Sequence, residues 1–131
     1  VVKNLTAALL YKISDIVTEQ KKAAKHSNTD IIRKFELLID KHFTEEHQLD
    51  LYSDKLHISP NYLNSLCNKT LGISAKQLIN KRLSIEAKRL LKHSSLNIND
   101  ISDYLNFNSS SYFIRFFKKM ENITPQHFKV Q

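Results

Sequence analysis

Apolar residues recur at helical spacing along most of the chain, and polar residues fill the positions between them. The first helix, residues 3–22, is predicted from the amphipathic spacing of Leu5, Leu9, Ile13, Ile16 and Val17. A polar stretch after residue 22 is expected to act as a linker. Asn28 or Thr29 is expected to cap a second helix that runs to about His42.

The rest of the chain contains an internal repeat. Residues 59–75 and 109–125 align at an offset of 50, and each begins polar, continues with Tyr and paired apolar residues, and ends at Gly72 or Asn122. Gly and Asn suit the left-handed backbone that ends a helix. A shorter amphipathic stretch precedes each segment, so a short helix, a tight turn and a second helix occur twice, which is the helix-turn-helix pattern.

Between the two copies, apolar spacing predicts one long helix from about Ala75 to His93. At the standard rise some eighteen residues of such a helix span about 27 Å, the right scale for the roughly 34 Å between successive major grooves of DNA. The chain has only one Gly and two Pro, which favours long helices with short connections. The predicted fold is all-α: two helix-turn-helix subdomains joined by a long linking helix, preceded by an N-terminal amphipathic helix.

The second helix of each repeat presents a polar outward face whose chemistry suits DNA. Asn bonds bidentately to adenine, Arg to guanine, and Ile contacts a thymine methyl group. The candidate base-reading residues, with Arg115 first, are Asn61, Asn64, Ser65, Ser110, Ser111, Ile114 and Arg115. The candidate phosphate contacts are Ser59, Asn68, Lys69, Lys118 and Lys119. For any single Asn or Ser a solvated helix face is the favoured interpretation, and each of the three lysines could equally be a surface charge without a contact. The repetition of the whole set within a helix-turn-helix pattern favours DNA contact.

The opposite faces of the same helices are predicted to pack inward. Tyr62 and Tyr112 occupy equivalent positions and are expected in the core or between helices. The other inward residues are Leu63, Leu66, Cys67 and Thr70 in the first copy and Phe113, Phe116, Phe117 and Met120 in the second.

Composition narrows the functional class. Lys and Arg number 20 against 13 Asp and Glu, a net charge of +7 that favours a polyanionic partner. The single cysteine, Cys67, cannot form an internal disulfide, so a reducing, cytoplasmic location is expected. No apolar run has the length of a membrane span. His42 and His47 lack a third metal ligand, and no catalytic set, metal site or cofactor loop is evident, so the chain is not expected to be an enzyme.

The region from Asp30 to Lys129 resembles the DNA-binding domain of AraC/XylS-type transcription regulators. The strongest similarity lies in residues 98–128, and the first copy and linking helix also match. The resemblance implies recognition helices starting near Ser59 and Ser109 and a promoter-binding regulator, usually an activator that contacts RNA polymerase. Four departures from the family pattern are Asn106 and Asn122 in place of Gly, Cys67 in place of Phe, and Lys129 in place of Arg.

The chain begins with Val1 rather than Met, which suggests a fragment. We expect residues 1–28 to be the helix and linker that end a missing sensor or dimerisation domain, and residues 29–131 to form the double helix-turn-helix domain. The first helix is expected either to mediate a homodimer or to pack on its own domain. A helical protein-interaction module and an enzyme with a missing catalytic domain are the alternatives to DNA binding.

Overall fold

A computed structural model describes residues 27–131, and all regular structure in that range is α-helical. Helix α1 covers residues 27–42, so its predicted end at His42 is confirmed, whereas the predicted cap at Asn28 or Thr29 is wrong because those residues already lie within the helix. The predicted helix at 3–22 lies outside the described residues. The other helices are α2 (Leu49–Lys55), α3 (Pro60–Leu71), α4 (Ala75–His93), α5 (Ile98–Tyr104), α6 (Ser110–Glu121) and α7 (Pro125–Val130).

The predicted all-α architecture with two helix-turn-helix units is confirmed. The first unit consists of α1, α2 and α3, the second of α5, α6 and α7, and α4 joins them with the predicted bounds. The paired helices have equal lengths, seven residues in α2 and α5 and twelve in α3 and α6. The turns differ: residues 56–59 join α2 to α3, whereas residues 105–109, one residue more, join α5 to α6.

Hydroxyl and amide side chains fix where most of these helices begin. Each accepts a hydrogen bond from a backbone N–H of the first turn, which satisfies a donor that has no partner inside the helix. The caps of α3 to α7 are Ser59, Ser74, Asn97, Ser109 and Thr124.

Left-handed residues end α3 and α6 and shape the turns that precede them. Gly72 has φ of 75° and Asn122 has φ of 62°, as predicted for the residues that stop α3 and α6. Asn106, in the α5–α6 turn, has φ of 63°, and His57 takes the same conformation in the α2–α3 turn with φ of 58°. Asn visits this region at modest cost, so it substitutes for Gly there.

Helix α4 is the centre of the molecule. It contacts α3 in the first unit and all three helices of the second. On its first half, the Nε of Arg82 donates to Asp40 of α1 over 2.9 Å. Farther along, the hydroxyl of Ser84 donates to Glu121 of α6 over 2.5 Å, and Lys88 lies 3.2 Å from the same carboxylate. Packing and polar contacts of α4 therefore connect both units into one hydrophobic core.

Candidate nucleic-acid interface

The outward face of α3 carries the predicted polar residues of the first unit. Asn61, Ser65, Asn68 and Lys69 are exposed, so their side chains are accessible to a ligand. The α3 sequence contains no acidic residue. This face therefore offers amide, hydroxyl and ammonium groups without a carboxylate that would repel phosphate.

Asn64 differs from its neighbours on that face. It is half-buried, and its Oδ1 accepts a hydrogen bond of 3.0 Å from the backbone N–H of Ala75, the first residue of α4. Ala75 is fully buried, so its N–H has no access to water as an alternative acceptor. The carboxamide oxygen of Asn64 thus fixes the junction of α3 and α4, and its NH₂ group remains available for another contact.

The second unit has no such hydrogen bond at the equivalent junction, between α6 and α7. At the repeat offset of 50, Ile114 corresponds to Asn64 and Pro125 to Ala75. Proline has no N–H, so the start of α7 requires no acceptor at this point. The apolar Ile114 is consistent with this, because the amide that it replaces would have no donor to satisfy.

The outward face of α6 is more basic than that of α3. Ser111, Arg115, Lys118 and Lys119 are exposed, whereas Ser110 and Ile114 are partly covered. The acidic residue of the helix, Glu121, is directed to α4, where the Ser84 hydroxyl is the main cause of its lowered pKa. The outer surface of α6 therefore carries three cations.

Arg115 and Tyr112 form a pair on the exposed surface of α6. The guanidinium carbon of Arg115 lies 5.8 Å from the ring centroid of Tyr112, within the range of a cation–π contact. The Tyr112 ring lies 6.2 Å from that of Phe107, a buried residue of the α5–α6 turn. The aromatic ring supports the Arg115 side chain while leaving its N–H groups accessible.

Of the two places expected for Tyr62 and Tyr112, in the core or between helices, the core is wrong for both residues. Their side chains are 47% and 52% exposed, at the third position of α3 and α6. Their positions place a hydroxyl and a ring face at the N-terminal end of each outward face. Sequence reasoning missed them as candidate contacts, although their equivalence in the repeat was a usable signal.

The N-terminal ends of α3 and α6 are built alike. The Oγ atoms of Ser59 and Ser109 accept from the N–H of Tyr62 and Tyr112, each over 3.1 Å. Each serine is exposed and keeps its O–H free to donate. Together with the positive end of the helix dipole, such a hydroxyl suits a phosphate oxygen. Ser59 was predicted for this role from the sequence, whereas Ser109 was not.

The inward faces largely follow the prediction, although Phe116 and Met120 are only partly buried. Leu63, Leu66 and Cys67 are buried, as are the two phenylalanines at positions 113 and 117. Thr70 is exposed, so its inward assignment is wrong. Burial raises the pKa of the Cys67 thiol to about 11, which suits a packing role.

Two other kinds of feature are absent from the described part of the chain. Within residues 27–131, no group of three or more His, Cys, Asp and Glu side chains is arranged to hold a metal ion. None of the helices in that range combines the length and apolar character that crossing a membrane requires.

Comparisons with known proteins agree with this geometry. Residues 52–131 match the family model described as a helix-turn-helix domain. The HTH-type transcriptional regulator YtdP of Bacillus subtilis is 36% identical over 94 residues, which are 72% of this chain and 12% of that protein. The transcriptional activator PerA of Escherichia coli O127:H6 is 32% identical over 116 residues, 88% of this chain and 40% of that protein.

Among solved structures, the C-terminal domain of AraT, a response regulator from Geobacillus stearothermophilus, has a TM-score of 0.71 and 29% identity. The alignment covers 76% of this chain and 84% of that chain. The chain spans less than half the length of the curated relatives that it matches.

Proposed function

The chain belongs to the AraC/XylS-type family of helix-turn-helix domains, and we propose that it is the sequence-specific DNA-binding part of a transcription regulator. In this proposal α3 and α6 enter successive major grooves on one side of a duplex. The observation that carries it is the duplication of an exposed, carboxylate-free helix face on a shared helix, α4. At 19 residues, α4 is about 28 Å long, the scale of one turn of B-form DNA.

The exposed positions divide into two roles. Amide, hydroxyl, methyl and guanidinium groups in the middle of each face read base edges, and cations and helix N-termini at the margins hold phosphates. The proposed base-reading set is Asn61, Ser65, Ser110, Ser111, Ile114 and Arg115. The proposed phosphate set is Ser59, Asn68, Lys69, Lys118 and Lys119, to which Ser109 is added. Asn64 is also proposed to read bases, through its NH₂ group, while its oxygen holds the α3–α4 junction.

Beyond DNA binding, we propose a cytoplasmic regulator that acts at promoters as an activator and contacts RNA polymerase. Activation rather than repression is supported by the similarity to PerA, which is named a transcriptional activator. Residues 29–131 are proposed as the DNA-binding domain and residues 1–28 as its connection to a further sensor or dimerisation part, through which a homodimer forms.

Selection from a library of randomised duplexes, followed by base-protection footprinting, tests the proposal. We expect the 131-residue chain to select one asymmetric site and to protect bases in two adjacent major grooves. Equal affinity for all duplexes, without base protection, would instead favour a helical protein-interaction module whose charge serves another partner.

A further inference from the structure

The loop that connects α1 to α2, residues 43–48, is held by three elements at once. The carbonyl oxygen of Glu46 accepts a hydrogen bond of 2.7 Å from the hydroxyl of Tyr52 in α2. The next carbonyl, that of His47, accepts from the ammonium group of Lys76 in α4. These contacts fix the loop within the first unit and at the start of α4.

The third element belongs to the other unit. The Nδ2 of Asn106, in the α5–α6 turn, donates to the carbonyl oxygen of Glu45 over 2.8 Å. The Nε2 of His47 lies 2.7 Å from the carbonyl oxygen of Leu105, to which it donates. The His47 ring also packs on Phe107, with 4.8 Å between centroids. The contact thus combines two hydrogen bonds with a ring contact, and it joins residues about sixty positions apart.

The placement of this contact gives it a geometric consequence. The α5–α6 turn leads directly into α6, and Phe107 also packs on Tyr112 and Phe116 of that helix. The same loop leads into α2 and, through it, to α3. A direct bridge between the loop and the turn therefore restrains the two outward faces in addition to the packing of both units on α4.

We propose that the bridge formed by Glu45 and His47 with Leu105, Asn106 and Phe107, the inter-unit clasp, sets the spacing between the two half-sites that the chain accepts in DNA. The inference rests on the proposed function. Inserting one base pair between half-sites displaces one from the other by about 3.4 Å and rotates it by about 35°. A clasped pair of units follows that change poorly, whereas units joined through α4 alone adjust by bending at the junction.

The test uses the duplex that the wild-type chain selects, together with derivatives carrying one base pair more or fewer between the protected grooves. Asn106→Gly removes the amide donor and retains the left-handed backbone, which Gly adopts without strain. His47→Ala removes the ring and its hydrogen bond. His57→Gly is the matched control, because it makes the same backbone exchange in the α2–α3 turn, where the His57 side chain is exposed.

We expect the wild type and His57→Gly to lose about tenfold or more in affinity on either altered duplex, the scale of a mismatched contact. Both clasp variants are expected to lose about threefold or less. Circular dichroism establishes whether each variant is folded. If His47→Ala is unfolded, the comparison is made with Asn106→Gly alone.

A clasp variant that is folded and discriminates spacing as strongly as the wild type would overturn the clasp and leave the proposed function intact. A wild-type chain that selects no duplex would overturn the proposed function and this inference with it. The two failures are distinguished by the wild-type selection, which is carried out first.

Discussion

In the first unit, Asn64 accepts a hydrogen bond from the N–H of Ala75, whereas the second unit has Ile and Pro at the equivalent positions. We therefore predict that the first unit tolerates the Ile and Pro pair when both residues are introduced together. Asn64→Ile copies the second unit's Ile114 but leaves the buried Ala75 N–H without an acceptor. An unsatisfied buried donor costs about 1–3 kcal/mol, so the free energy of unfolding should decrease by that amount. Adding Ala75→Pro, which copies Pro125, removes the donor itself.

The backbone around Ala75 accepts this second change. Proline is favoured at the first position of a helix. The preceding residue, Ser74, has ψ of 159°, the extended conformation that a following proline requires. We therefore expect the double variant to recover most of the lost stability, with a coupling energy of about 1–2 kcal/mol between the two changes.

Urea unfolding of the wild type, both single variants and the double variant measures that coupling. Asn61→Ile serves as the matched control, since Asn61 is exposed on the same helix and should change stability by no more than about 0.5 kcal/mol. Additive effects of the two changes, within about 0.5 kcal/mol, would refute the reasoning. They would show that the carboxamide does not stabilise the α3–α4 junction through this bond.

Four further results are expected. Arg115→Ala should weaken discrimination at one base position by about 1–3 kcal/mol, whereas a uniform loss on all duplexes would assign Arg115 to phosphate. Lys119→Gln should reduce the slope of log affinity against log salt by about one, while Lys81→Gln, an equal charge change beside the acidic residues of α1, should not. Burial lowers the pKa of His47 below its ordinary 6.5, so the unfolded chain takes up this proton first as pH falls. The resulting stability contribution is complete above pH 6.5 and decreases below it, and a His47→Gln variant measured by urea unfolding should lack that dependence. Cys67 should react with a thiol reagent at pH 8 only after unfolding, and rapid labelling of the folded chain would contradict its burial.

Local signals in the sequence determine much of this fold. Apolar spacing located α4 from Ala75 to His93, and the short polar side chains at Ser59 and Ser109 marked the starts of α3 and α6. Gly72 and Asn122 identified the helix ends, because few residues tolerate a left-handed backbone. These features depend on interactions within a few residues, and such interactions are visible in a pattern.

What the sequence left open depends on contacts between distant residues. Tyr62 and Tyr112 lie at the border of the helix faces, where the periodicity does not decide between core and surface. Asn64 looked like its exposed neighbours because its partner, the N–H of Ala75, is a backbone group that no side-chain pattern reveals. The contact of His47 with Leu105 spans 58 residues and follows only from the folded arrangement.

The turn ahead of α6 is one residue longer than the turn ahead of α3, and this difference bears on engineering the two units. An extra residue inside a helix rotates everything beyond it by about 100°, which would turn one outward face away from its partner. An extra residue in the connecting turn does not have this effect, because the turn can adjust its conformation so that the following helix presents the same face. The two units thus differ in length at a position where the following helix can keep its outward face, and the first turn is the place to introduce a matching residue by engineering.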